Sequence, residues 1–305
     1  MIVAAVDLGT NTTRLLVADV TDGTVRELHR ESRITRLGEG VDSRRRLLPA
    51  ATARVRNVLV DYLRVAETLG AERTLLVATS AVRDAENGEA LLGEIEWSYG
   101  FSTRLLSGGE EARLTRLGVG PVATGTLVVD VGGGSTELTL DEFHASLDVG
   151  SVRFTERFLD SDPPRPDELD ACATAVRAEL PELAPAAAVG VAATVTTLAA
   201  LDLGLAEYDR ARVHGHRLTL AGARAQLERL AALPLAERRL VPALDPERAP
   251  VIVAGAVILV ETVAAYGLDA VEVSERDLLD GAALEAAALP APQEPAAPPG
   301  AYTCC

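Results

Sequence analysis

The chain has 305 residues, 48% of them hydrophobic and 24% charged, enough for two globular units that each bury a core. A formal net charge of -16 argues against a general nucleic-acid binder, which needs a basic surface to displace counterions. All 29 Lys-or-Arg positions are Arg, so a Walker-type phosphate loop and Schiff-base chemistry on Lys are excluded. The 3 Cys (Cys172, Cys304 and Cys305) have neither metal-ligand nor redox spacing, and this usage fits a reducing cytoplasm. The N-terminus has no basic segment and meets Asp7 at once, unlike a signal peptide. The longest apolar run, Ala249 to Val260, falls short of the ~20 residues that span a membrane and predicts a buried helix.

In chain order, Ile2 to Val6 is a continuous apolar run and predicts a buried strand. A turn at Gly9 to Asn11 leads to a second strand, Arg14 to Val20. Asp22-Gly23 is a strong hairpin signal, and a third strand, Thr24 to Ile34, follows it. Ala50 to Leu69 has helical apolar spacing and stops at Gly70. The strand-like TLLVATS precedes a helix that Asn87 is expected to cap. A strand near Phe101 to Leu106 leads to a helix beginning near Gly109.

The pattern then restarts. Thr126 to Val131 predicts a buried strand, followed by the turn Gly132 to Ser135 and strands at Thr136 to Leu140 and His144 to Val149. Helical segments, one of them carrying Cys172, precede a strand at Ala188 to Ala192. The apolar helix, a strand at Ala270 to Ser274 and a final helix near Leu278 to Ala288 complete the half. The expected division is a first lobe over 1–124, a second over 125–289 and a disordered Pro/Ala-rich tail over 290–305.

Asp7-Leu8-Gly9-Thr10-Asn11 ends the first strand of one half, and Asp130-Val131-Gly132-Gly133-Gly134-Ser135 ends that of the other. The two Asp stand 123 positions apart (130 minus 7). Two duplicated α/β halves facing one another would bring both turns to one cleft. Tight Gly turns expose backbone N–H groups that suit phosphate oxygens. Two opposed Asp suit Mg²⁺, a hard ion that takes oxygen ligands and keeps several waters.

Ser107 and Glu110 form an S-x-x-E capping box, which accounts for Glu110 but not for Glu111. Glu111 is a candidate to orient and deprotonate a water. Glu137 lies two residues past Ser135 and would share its strand face; the alternative is an exposed strand carboxylate. Arg83 follows a strand end and would reach a cleft, although taken alone it reads as a solvated Arg. Arg33, Arg36 and Arg44 to Arg46 would either steer polyanions or line a solvated loop. His214-Gly215-His216 lacks partner ligands at metal spacing and is weak as a metal site.

The segments AAVDLGTNTTRLLVADV, ATSAVRDAEN, SGGEEARLTRLGV and LVVDVGGGSTEL resemble, in order and spacing, the successive motifs of the exopolyphosphatase/guanosine pentaphosphate phosphatase (Ppx/GppA) family. The resemblance runs to about Ala288 and is to the short, two-domain actinobacterial-type members. It implies duplicated actin–hexokinase–Hsp70-like (ASKHA, ribonuclease H-like) lobes with an active site between them. It implies Glu111 as catalytic base and a Mg²⁺ site (Mn²⁺ as substitute) among Asp7, Asp130 and Glu137. Thr10, Asn11, Arg83 and Gly132, Gly133, Gly134 and Ser135 would hold phosphates. The second-lobe loop GVAATVTTLAAL departs from the pattern, with Ala193 where the family often has Gly.

The expected activity is exopolyphosphatase, with a preference for short chains because a strongly acidic protein repels a long polyanion. A guanosine pentaphosphate phosphohydrolase and a non-catalytic sensor of phosphate-rich nucleotides are the alternatives. A cytoplasmic homodimer that contacts neither nucleic acid nor membrane completes the expectation.

Overall fold

The structure, a computed structural model, describes residues 1–290. From position 291 the tail, with Cys304 and Cys305, lies outside the described residues.

The first half contains β1 (Ile2–Leu8), β2 (Thr12–Thr21), β3 (Thr24–Ile34), α1 (Val41–Arg44), α2 (Pro49–Thr68), β4 (Arg73–Ala78), α3 (Ser80–Arg83), α4 (Gly88–Tyr99), β5 (Ser102–Leu105) and α5 (Gly108–Val119). The second contains β6 (Thr126–Val131), β7 (Thr136–Leu140), β8 (Phe143–Leu147), α6 (Ser151–Phe158), α7 (Pro166–Glu179), β9 (Ala187–Val191), α8 (Ala192–Asp202) and α9 (Arg210–Val213). It continues with β10 (Arg217–Thr219), α10 (Leu220–Ala231), α11 (Leu235–Arg238), α12 (Ile252–Ala265), β11 (Ala270–Val273) and α13 (Leu278–Ala288).

Two mixed sheets result, ordered β3-β2-β1-β4-β5 and β10-β11-β9-β6-β7-β8. In each, an antiparallel meander of three strands continues into parallel strands through helical crossovers. The expected duplication therefore holds strand by strand, with β10 as an added edge. The first hairpin turns at Asp22 and Gly23, both with positive φ (49° and 73°), the type I′ geometry that matches strand twist. Up to Asp7 and Asp130, β1 and β6 are almost wholly apolar and buried, as strands covered on both faces are.

The long apolar run forms α12, buried among α7, α8 and α10 in the second-lobe core. Among the described residues no helix is long and apolar enough to cross a membrane. Asn87 precedes α4 but does not cap it; its amide instead accepts from Leu47 N and donates to Leu47 O.

The last helix departs from the order of the chain. Sequence order puts it with the second half, yet Leu278, Leu279, Ala282, Ala283 and Ala286 of α13 pack on Val3, Ala5, Leu16, Leu75 and Val77 of the first sheet. The physical reason is coverage: α2 and α4 cover one face of that sheet, and α5 with α13 covers the other. α13 and α5 approach through glycine. A Cβ on Gly118 would lie 1.8 Å from Asp277 O, and one on Gly281 would lie 2.0 Å from Leu114 O. Gly281→Ala should force these helices apart and cost roughly 1–3 kcal/mol, as overpacking does. Urea unfolding measures it; an unchanged midpoint would show that the contact yields freely.

Candidate active site

β1 and β6 carry Asp7 and Asp130 as their last-but-one residues, at the carboxyl ends of central strands where α/β sheets place ligands. The turns that follow close identically. Gly9 N donates to Thr12 O and Gly132 N to Ser135 O, both at 3.0 Å. A Cβ on either glycine would sit 2.9 Å from that same carbonyl, so no other residue fits.

The carbonyls of both turns are anchored away from the cleft. Gly132 O accepts from Ser151 N (2.9 Å), and Gly133 O from Val152 N (2.8 Å) and Arg153 N (3.2 Å), which uses the free donors of α6's first turn. In the first lobe Thr10 O accepts from Gly38 N (2.8 Å), and Asn11 O from Thr35 N (3.0 Å) and Arg36 N (2.9 Å). A trans peptide points its N–H opposite its C=O. The N–H groups of Asn11, Thr12, Gly133 and Gly134 therefore face inward. Thr10, Asn11, Gly132 to Ser135, Asp7, Asp130, Glu111 and Glu137 line one cleft, as the motifs imply. Gly134 has a second duty: a Cβ there would lie 2.5 Å from Ser80 Oγ and 2.7 Å from Thr10 Oγ1, so the two loops touch across the lobes.

The duplication extends to one more pair, with opposite charge. Asp7 lies directly across from Arg14 in the β1–β2 ladder, and Asp130 across from Glu137 in β6–β7. Arg14 binds Asp7 Oδ2 (2.8 Å) and also pairs with Asp277, the N-cap of α13. Asp7 Oδ1 is buried without a partner. Burial raises the Asp7 carboxyl above its usual range against the opposing pull of Arg14. Burial, helped by Glu137, pushes Asp130 up to about 8, although Thr115 donates to its Oδ2 (3.2 Å). Glu137 accepts from Ser146 Oγ (2.7 Å) and is also raised, chiefly by burial.

Glu111 is only 7% exposed in α5, which opens with the expected box: Glu110 N donates to Ser107 Oγ and Ser107 N to a Glu110 carboxylate oxygen. Burial first and Glu137 second lift the Glu111 carboxyl well above the ordinary range, while Arg83 draws it down. Arg83 Nη1 donates to Glu111 Oε2 (3.1 Å) and Leu106 O (2.8 Å). Arg83, expected to hold phosphate, thus holds Glu111.

Three acidic side chains from the second sheet and α5 line this cleft with Asp7 and Arg14, and Arg83, outside the lining, pairs with Glu111. Their excess negative charge and the orphaned Asp7 Oδ1 fit a divalent cation. No cluster of three or more Asp, Glu, His or Cys among the described residues would chelate one alone. The donor set therefore suits Mg²⁺ held by one or two carboxylates together with substrate phosphates and water. The His pair is no such site: His216 bonds Asp202 (2.8 Å), and His214 Nδ1 accepts from Glu275 N.

Sequence reasoning missed Arg14, Thr115, Ser146, Asp277 and Arg248. Arg248 lines the cleft, has no ion-pair partner among the described residues and is lowered from the usual guanidinium range by burial. Residues at cross-strand register with a motif Asp, such as Arg14, were the available signal. Ala193 also lines the cleft, but its neighbour Ala192 takes the left-handed φ of 63°, at a cost of roughly 1–2 kcal/mol for an L-residue.

Arg83 gives a pH test. A carboxylate serves as a general base only when deprotonated, so with Glu111 as the base its pKa would set the acid limb of the kcat/KM profile. Arg83→Met removes the cation that lowers that pKa and should move the acid limb to higher pH at fixed Mg²⁺. A limb that stays in place or moves down would separate Glu111 from the profile.

The profile of the Ppx/GppA phosphatase family matches residues 16–288. Exopolyphosphatase 2 of Mycobacterium tuberculosis is 40% identical over 93% of this chain and 98% of its own length. The crystal structure of an exopolyphosphatase-like protein superimposes with a TM-score of 0.88 at 34% identity, covering 93% of this chain and 98% of that one. The Ppx/GppA family member of Aquifex aeolicus gives a TM-score of 0.79 at 30% identity, covering 93% and 97%. Like sequence and like fold over most of its length show that the chain belongs to the Ppx/GppA phosphatase family.

Proposed function

We propose that the chain releases terminal orthophosphate from inorganic polyphosphate by attack of an activated water. The observation that carries this reading is Glu111, a buried carboxylate held by Arg83, set in the same cleft as two turns whose N–H groups face inward. The names of the relatives support polyphosphate as the substrate.

In this mechanism the terminal phosphate sits between residues 9–12 and 132–135. The inward N–H groups of Asn11, Thr12, Gly133 and Gly134 take up charge on the transferred phosphoryl group without reorganising. Glu111 orients the water and accepts its proton. Arg83 fixes the carboxylate toward the phosphorus. Arg14 holds Asp7 in place and favours its ionised form against burial. One or two of Asp7, Asp130 and Glu137, together with substrate phosphates and water, would hold Mg²⁺, which when bound would neutralise phosphate charge in the ground and transition states.

A second reading has one observation in its favour. A cavity of about 640 Å³ adjoins the cleft past Arg14, Ala192, Ala193 and Arg248, large enough for a nucleoside. Phosphate release from polyphosphate and from guanosine pentaphosphate, measured side by side, ranks the two substrates.

Glu111→Gln should lower turnover by about 10²-fold or more with the fold intact. Glu110→Gln should leave turnover alone and cost on the order of 1 kcal/mol as a lost cap partner. Near-wild-type turnover in Glu111→Gln would remove the proposed base. Chain length is a separate test. Arg33 and Arg36, which would either steer polyanions or line a solvated loop, are paired with Glu31 and Glu247. Binding should then rest on the phosphates inside the cleft, and kcat/KM should flatten after the first few units. A steep rise with length that disappears at high salt would reveal an extended basic channel.

A further inference from the structure

Arg153 stands in the first turn of α6, 6% exposed, and takes no part in the mechanism above. Its Nε donates to Gly134 O at 2.7 Å. Its Nη1 pairs with Asp42, and its Nη2 donates to Ser80 Oγ (3.3 Å) and pairs with Asp84. Gly134 belongs to the second lobe; Asp42, Ser80 and Asp84 belong to the first. Arg157, one helical turn on, adds two 2.6 Å bonds to Asp42.

The bond to Gly134 completes a series. Ser151 N holds the carbonyl of Gly132, Val152 N that of Gly133, and the Arg153 side chain that of Gly134. α6 has run out of backbone donors in register with the third carbonyl, and a side chain takes over. Fixing the Gly134 carbonyl outward turns the Ser135 N–H inward. The same guanidinium ties that peptide to the lobe that carries Glu111.

We propose that Arg153 is a positioning residue: it aims the Ser135 N–H at the terminal phosphate and sets the second-lobe phosphate loop in register with Glu111 on the first lobe. This rests on the phosphohydrolase reading of the cleft. The planar fork is needed, because one side chain must meet a carbonyl, a hydroxyl and two carboxylates in different directions; an ammonium cannot. Misplacement of a reacting group by about 1 Å costs on the order of 10²-fold in rate.

A residue that only joined the lobes would act through stability, and the test separates the two roles. Arg153→Gln, Arg153→Lys and Asp84→Asn are compared with wild type for Tm, for steady-state phosphate release from polyphosphate across pH, and for amide hydrogen exchange over residues 132–140. Asp84→Asn removes one charged contact between the lobes but leaves the Gly134 bond. The expected result is a fall in kcat of about 10²-fold in Arg153→Gln, little recovered in Arg153→Lys, with the pH midpoint unmoved and faster exchange in the loop. Asp84→Asn should stay within about threefold of wild-type kcat at a comparable loss of Tm. Equal kcat in folded Arg153→Gln and wild type, with unchanged loop exchange, would overturn the proposal. So would equal losses of kcat in Arg153→Gln and Asp84→Asn. Should Arg153→Gln not fold, Arg153→Lys compared with Asp84→Asn distinguishes the two roles in the same way. If wild type releases no phosphate from polyphosphate while Arg153→Gln still speeds loop exchange, the catalytic reading falls and the positioning role stands.

Discussion

The structure depends on burying four carboxylates around one cleft with two guanidinium partners set against them. Asp7, Glu111, Asp130 and Glu137 are each less than 9% exposed. Burial raises all four above their ordinary range. Charges removed from water demand compensation, either by pairing, by protonation or by a cation. Arg14 and Arg83 supply part of it and fix Asp7 and Glu111. Asp130 and Glu137 have no ion-pair partner among the described residues, and the proposed cation would answer that imbalance.

The scaffold answers the same demand with backbone. Two copies of one turn, each pinned by its carbonyls to a neighbouring segment, leave donors toward the cleft and hold no net charge. This explains how a chain of net charge -16 can accept a phosphate without a basic surface. The duplication is broken at one place. Arg14 in the first lobe faces Asp7 where Glu137 in the second faces Asp130. One turn therefore carries a neutralised carboxylate and the other an acidic pair, which gives the symmetric fold an electrostatic direction.

Much of this was legible in the sequence because it is set by local rules. The Asp7 and Asp130 turns, the strands Thr126 to Val131 and Thr136 to Leu140, and the Ser107–Glu110 box follow from Gly chemistry, period-2 burial and capping. What stayed hidden is tertiary. The Arg14–Asp277 pair joins residues 263 positions apart. The return of α13 to the first sheet follows from which face lacked cover. Asn87 sits where a cap belongs but is drawn to Leu47. Arg83 needed the position of Glu111 to declare its role, and Arg153 that of Gly134.

The central proposal is that a divalent cation answers the buried negative charge of this cleft. A group whose folded pKa is raised lends stability below its unfolded pKa and loses it as pH rises through the folded value. For Asp130, pushed up to about 8, the loss falls between the ordinary carboxylate range and that value and continues just above it. The measurement is Tm from pH 5 to 9 with and without Mg²⁺. Without the ion Tm should fall over this range more in wild type than in Asp130→Asn. Mg²⁺ should raise Tm increasingly toward high pH, reflecting about 2.7 kcal/mol of added stability at a hundredfold excess over Kd. A Tm that ignores Mg²⁺ at every pH, with wild type and Asp130→Asn falling in parallel, would contradict the account.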